Sequence, residues 1–347
     1  MFVRPQTSYR TLLRVSCASF VVLAAGAAPA LAELKVTVTI KPVHALVAQV
    51  MEGVGTPDLL VKGAASPHTY ALKPSDARAL NHANVFFRVS ETVEPFTRKI
   101  VSALPDSVKT ITLADAPGIE LLDVRTGDTF EKHDHSHEAK DDHDHHGHDH
   151  SHDHDHGDHA HDHNAQDHAE EAHGTRDGHV WLDPENGRKM IAEIARVLSE
   201  ASPENADKFK ANAARADAAL VALQSDIARD LAPIEAKPFV VFHDAFQYFE
   251  HRFGLSAVGS ITISPDTQPS AKRLTEIRRK LENLSAVCVF SEPQFQAKLV
   301  NAVTEGTSAR SGTLDPEGAL VDPGPSAYET LLRNLSDDLR ACLARPS

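Results

Sequence analysis

The sequence predicts an α/β fold of two (β/α) lobes with mainly parallel sheets, joined by one long helix. Three observations carry this. Across residues 34–113, short apolar or alternating runs take turns with helical stretches, the pattern of a parallel sheet with crossover helices. A second set of the same kind occupies residues 239–343. Between them, Ala206, Phe209, Ala213, Ala216, Leu220, Leu223, Ile227 and Leu231 recur every three or four residues. A helix of that length runs about 40 Å at roughly 1.5 Å per residue, enough to reach across two lobes.

The elements follow in order. Residues 34–40 alternate apolar and polar side chains and predict a strand. Pro42 opens a helix to about Met51. Residues 59–61 form a short second strand, and residues 63–74 a loop. Ser75 is expected to cap a helix through His82. Residues 85–89 are a third strand, Pro95 starts another helix, and residues 110–113 are a fourth strand. A helix follows Pro184 to about Glu200, and Ser202-Pro203 reads as the cap and first-turn proline of the long helix. Pro233 and Pro238 end it. In the second set, residues 239–242, 255–263 and 286–290 read as strands, with a short strand leading to Leu314. Residues 244–253, 270–284, 294–305 and 326–343 read as helices, the second capped by Ser270. The expected division is 33–202 for the first lobe, 203–232 for the bridging helix and 233–347 for the second lobe. No sequence repeat links the two lobes.

Residues 1–32 stand apart. Arg4, Arg10 and Arg14 precede an apolar run closed by Ala30-Leu31-Ala32, which reads as a secretory signal peptide removed after Ala32. The run is too short and alanine-rich for a membrane span. Cys17 precedes it and is not read as a lipid anchor. In an exported chain the remaining pair, Cys288 and Cys342, reads as a disulfide between a strand and the last helix. Closing that loop is worth roughly 2–4 kcal/mol. The formal charge is −14, and loss of three signal arginines makes it more negative still. Such a chain attracts cations and excludes nucleic acid as a partner.

The most unusual segment is residues 132–174, mostly histidine and aspartate. Its low hydrophobicity predicts a disordered loop, since nothing in it builds a core. Dense imidazole and carboxylate form a chelating polymer for borderline transition metals. The candidate auxiliary ligands are His133, His135, His137, His143, His145, His146, His148, His150, His152, His154, His156, His159, His161 and His163. A solvated acidic loop would not explain why so many of its polar residues are histidine.

Six histidines lie outside it: His44, His68, His82, His179, His243 and His251. His68 follows the second strand, His243 directly follows another, and His179 flanks a short apolar segment beside Trp181. Ligands of open α/β sheets bind beyond the carboxyl ends of strands. Asp315 stands at a similar strand-to-loop junction. Three imidazoles and a carboxylate suit tetrahedral zinc. His44 is a candidate secondary ligand, His82 and His251 are surface or packing residues, and Tyr70 and Trp181 are expected in the cleft wall. Glu292 fits a structural hydrogen bond as well as a metal role.

Five runs carry a resemblance: Ser66-Pro67-His68-Thr69-Tyr70 with Leu72-Lys73-Pro74-Ser75-Asp76; His179-Val180-Trp181-Leu182-Asp183-Pro184; Val241-Phe242-His243-Asp244-Ala245-Phe246; Phe290-Ser291-Glu292-Pro293-Gln294-Phe295; and Gly312-Thr313-Leu314-Asp315-Pro316. In order, and over essentially the whole mature chain, they resemble the zinc-binding periplasmic components of ABC importers, within the TroA-like solute-binding family. The resemblance implies a rigid bridging helix and a metal cleft between the lobes, with His68, His179 and His243 as zinc ligands. Asp315 sits where many members have a ligand aspartate. Manganese members carry glutamate where this chain has His243, and nitrogen in its place favours zinc. Some zinc members carry glutamate just before the first ligand histidine, whereas here the residue is Pro67. The fourth ligand is then Asp315 or water.

The implied function is zinc capture in the periplasm by a monomer and delivery to an inner-membrane ABC permease with a cytoplasmic ATPase. The His-rich loop would act as an auxiliary collector or sensor. The alternatives are a zinc-dependent hydrolase and a metal-buffering surface protein. Against the hydrolase, the chain has no His-Glu-x-x-His, no nucleophile elbow and no motif-placed base.

Overall fold

The computed structural model describes Met1 and residues 33–125, 130, 176–262, 268–283, 287–295 and 298–344. The expected signal peptide and the His/Asp-rich stretch, with all its candidate ligands, lie outside the described residues. Two sheets of four parallel strands form the frame. The first contains β1 (Val36–Val38), β2 (Asp58–Leu59), β3 (Val85–Arg88) and β4 (Lys109–Thr112), in the order β2-β1-β3-β4. Its helices are α1 (Lys41–Val50), α2 (Pro74–Asn81) and α3 (Thr97–Val101). Two long helices follow, α4 (Pro184–Ala201) and α5 (Ala206–Leu231). The second sheet contains β5 (Phe239–Val241), β6 (Ala257–Ser260), β7 (Cys288–Ser291) and β8 (Arg310–Thr313), in the order β6-β5-β7-β8. It is served by α6 (Gln247–Phe253), α7 (Ala271–Asn283), α8 (Lys298–Thr304) and α9 (Ala327–Leu343). The two sheets thus share one strand order although no sequence repeat is visible.

The first strand departs from its alternating pattern in an informative way. Thr37 and Thr39 are as buried as Val36 and Val38. Crossover helices cover both faces of a parallel sheet, so neither face is left to water. In β3 this is plain from composition, with Val85, Phe86 and Phe87 all buried.

Helix α5 has 26 residues and buries Phe209, Ala213, Ala216, Leu220, Leu223, Ile227 and Leu231. That face packs on α4, α1 and α9. Two expected caps differ. Ser202 hydrogen-bonds Glu204 instead of capping, and a 3-10 turn, Pro203–Asn205, precedes α5. Ser75 does not cap α2; Asp76 reaches back over the first turn to accept from the Lys73 N–H at 2.8 Å. Ser270 does cap α7, accepting from the Arg273 N–H at 3.1 Å.

One apolar cluster runs without a break from β1 and β3 through α1, α4, α5 and α9 into β5 and β7. Each large side chain fully buried there contributes about 1.5–3 kcal/mol. Prying the lobes apart would therefore expose core, and wide hinge motion is costly. The disulfide between Cys288 on β7 and Cys342 on α9 is formed, with Cα atoms 6.2 Å apart.

Candidate metal centre

Each ligand candidate is placed by a turn: those of His68 and His243 follow strands, and that of His179 follows the short bridge between Asp123 and Arg176. Pro67 starts a 3-10 turn, Pro67–Thr69, that carries His68. Its far end is pinned where the Tyr70 hydroxyl donates to Asp76 at 2.9 Å. His179 precedes a second 3-10 turn, Val180–Leu182, whose three residues are fully buried. The Trp181 indole N–H donates to the Pro316 carbonyl at 2.9 Å, and the Tyr328 hydroxyl donates to the Trp181 carbonyl at 2.6 Å. His243 stands two residues beyond the end of β5.

These turns bring three imidazoles together. His68 Nε2 is 3.3 Å from His179 Nε2, and His243 Nε2 is 3.4 Å from His179 Nε2. Among the described residues, this is the one group of three or more metal-ligating side chains whose donor atoms all lie within 4.8 Å of one another. Tetrahedral zinc with bonds of about 2.0–2.1 Å places its ligand atoms about 3.3–3.4 Å apart. The two edges that meet at His179 already have that length.

The opposite nitrogens of His179 and His243 are held as metal ligation requires. His179 Nδ1 lies 2.7 Å from Asp177 Oδ1, which also accepts the His179 backbone N–H at 3.0 Å. His243 Nδ1 lies 2.6 Å from Glu292 Oε1, which accepts the His243 backbone N–H at 3.1 Å. Both carboxylates are buried, and the second oxygen of each has no hydrogen-bond partner among the described residues. A carboxylate on Nδ1 fixes the tautomer that frees Nε2 and makes that nitrogen a better donor. Burial, and then the neighbouring rings of His179 and His243, hold His68 well below the ordinary imidazole value. At His243 burial opposes the charge, but Glu292 outweighs it, with Asp244 and Asp177 adding to the upward shift.

Asp315 is not a member of the trio. Its Oδ1 accepts from Gln294 Nε2 at 3.2 Å and its Oδ2 from the Leu320 N–H at 3.0 Å. His44 faces elsewhere, with Nε2 3.0 Å from the Pro57 carbonyl. His82 and His251 are exposed. Trp181 does wall the site, its ring centre 5.3 Å from that of His179. Tyr70 instead braces the His68 loop. Nothing in the sequence singles out Asp177. It follows a long acidic stretch, and only its burial separates it from the other carboxylates. Glu292 does stand out through its motif, and the hydrogen bond to His243 decides its role.

A family model described as the periplasmic component A of zinc-uptake complexes, ZnuA, matches residues 36–342. The chain belongs to the ZnuA family. A high-affinity zinc uptake system protein ZnuA of Brucella suis is 52% identical over 310 residues, covering 89% of this chain and 92% of the relative. Its counterpart in Yersinia pestis is 36% identical over 321 residues, covering 90% and 92%. Among solved structures, a ZnuA crystal structure superposes with a TM-score of 0.69 at 23% identity, covering 89% of this chain and 99% of that one. A laminin-binding adhesin of Streptococcus agalactiae gives 0.68 at 21% identity over 89% and 99%. At those identities the two structures speak for the fold alone. The ZnuA family consists of solute-binding proteins, not enzymes. Membership implies zinc as ligand, an ABC transporter as partner and the periplasm as location. No described helix is long and apolar enough to cross a membrane.

Proposed function

We propose that this protein captures one zinc ion on His68, His179 and His243 and delivers it to an inner-membrane ABC permease. A cytoplasmic ATPase drives that permease. The supporting observation is the spacing of His68 Nε2 and His243 Nε2 from His179 Nε2, which matches the edge of a zinc tetrahedron, together with a carboxylate behind each of the two most buried rings. Capture then needs little rearrangement of the protein, and less of the binding energy goes into ordering the ligands. In this arrangement water takes the fourth position. Asp315 takes it only by giving up its bonds to Gln294 and Leu320.

The chain acts as an exported monomer whose signal peptide is cleaved after Ala32. The His/Asp-rich segment gathers zinc weakly at many sites, or senses its supply. A metal-buffering role resting on that segment alone is the competing reading. Isothermal titration of the mature chain, of a variant lacking residues 133–173, and of His243→Ala separates them. One tight site should survive the deletion and vanish in His243→Ala. A deletion variant with no tight site would leave only the buffer. Asp315→Ala should keep tight binding if water is the fourth ligand.

A further inference from the structure

The chain that leads into the His/Asp-rich segment, and the chain that leaves it, are joined to each other and to the second lobe. The Asp177 N–H donates to the Leu122 carbonyl at 2.9 Å, and Asp123 pairs with Arg176. On α6, the Tyr248 hydroxyl donates to the Asp177 carbonyl at 2.6 Å and accepts the Leu122 N–H at 3.0 Å. Gln247 Nε2 donates to the Asp123 carbonyl at 3.1 Å. At the centre is Arg125. Its guanidinium forks onto both oxygens of Asp244 and both oxygens of Glu250, with Nη1 to Glu250 Oε2 at 2.8 Å. The Phe130 ring covers it, 4.2 Å from guanidinium carbon to ring centre.

Asp244 is bonded directly to His243 in the chain, and Asp177 holds His179. The clamp therefore grips both ligand-bearing segments without touching metal. We propose that Arg125 is a positioning residue of the metal centre, locking the His243 segment to the His179 segment and so setting how fast zinc leaves. Zinc cannot depart until at least one ring swings away. The ring on a segment fixed to the opposite lobe swings least often. Arginine suits the task because one planar fork satisfies two carboxylates at once, which a lysine ammonium cannot do. The continuous core limits wide opening, and the clamp limits the local opening that remains.

The inference rests on the histidine trio being the zinc site, so the test begins there. Zinc dissociation from the full mature chain is followed by exchange to a chromophoric chelator. His243→Ala must first abolish the slow phase; if it does not, the site assignment fails before Arg125 is judged. With the site confirmed, Arg125→Gln should speed dissociation about tenfold or more, the scale typical of losing an outer-shell partner. Arg125→Lys should fall between that and the parent chain. Removing Arg125 also strands a buried carboxylate, Glu250, and a half-buried one, Asp244, so unfolding of the metal-free proteins is measured alongside. The double variant Arg125→Met/Glu250→Gln relieves one of those stranded charges and serves if Arg125→Gln does not fold. A dissociation rate equal to the parent's in Arg125→Lys and in the double variant, whatever the stability, overturns the proposal and leaves Arg125 a structural pin.

Discussion

Glu292 Oε1 accepts both the backbone N–H of His243 and the Nδ1 side of its ring, at 3.1 and 2.6 Å. One oxygen thus fixes the position and the rotation of a metal-ligand candidate. Glu292→Gln keeps an acceptor but removes the charge that makes the ring basic. Zinc affinity should fall roughly 10–100-fold, the usual cost of an altered outer-shell partner. Asp177→Asn should act on His179 in the same way. Competition with a chelator of known affinity measures both. An unchanged affinity in both variants would falsify the carboxylate–histidine–zinc reading.

The same contact sets a pH dependence. Glu292 holds the His243 proton to a higher pH than an ordinary imidazole would keep it, whereas burial and its neighbours leave His68 neutral. Zinc must displace the His243 proton, so affinity should weaken as pH falls through the range in which His243 takes that proton up, which lies above that of an ordinary imidazole. The slope there should be about tenfold per pH unit for each proton displaced. Metal-free stability has the opposite sign. A folded-state value raised above the unfolded one stabilises fully below the unfolded value and loses that increment as pH rises through the folded one. Denaturant unfolding of the metal-free chain from about pH 5 to 8 should show this loss, and His243→Gln should remove it. Flat zinc affinity over the same range would rule out imidazole ligation.

Much of this was legible in the residues. Short apolar runs alternating with helices predict the parallel sheets, because covered strands need no polar face. The periodicity from Ala206 to Leu231 predicts the spanning helix. His68, His179 and His243 stand in three of the five motif runs, the first and last of them after strands. What stayed hidden depends on three-dimensional context. Ser75 and Ser202 have good cap chemistry, but Asp76 and Glu204 offered competing partners. Asp177 looks like any carboxylate next to an acidic stretch. That the two oxygens of Asp315 are engaged by Gln294 and Leu320 depends on how two loops meet, which no local pattern records.

Gly178 is needed for close approach rather than for an unusual backbone angle. A Cβ there would lie 2.3 Å from Thr92 Oγ1 and 2.6 Å from Val93 Cγ2. Residues 90–93 therefore pack directly on the peptide between Asp177 and His179. Gly178→Ala must push that loop away or tilt the His179 turn. Overpacking of this kind costs about 1–3 kcal/mol of stability. Zinc affinity should drop as well, since the displaced turn carries a ligand. Thr92→Gly in the same chain should recover part of both losses, which unfolding and chelator competition would show.

Glu94 anchors that loop from beneath. It is fully buried, and its Oε2 accepts the Val89 N–H at 2.8 Å and the Ser90 N–H at 3.2 Å. Burial pushes its carboxyl up to about 7, against partial relief from those bonds and from Arg88. A folded-state value above the unfolded one makes the ionised group a liability. Stability is greatest below the unfolded value near 4.5 and is lost as pH rises toward 7. The full loss is on the order of 3 kcal/mol at alkaline pH, since each pH unit between the folded and unfolded values is worth about 1.4 kcal/mol. Glu94→Gln keeps an acceptor for both N–H groups and cannot ionise. It should unfold at higher denaturant than the parent at about pH 8 and show little advantage at about pH 4.5. Equal gains at both pH values would mean that the charge is already compensated, and that the benefit comes from packing alone.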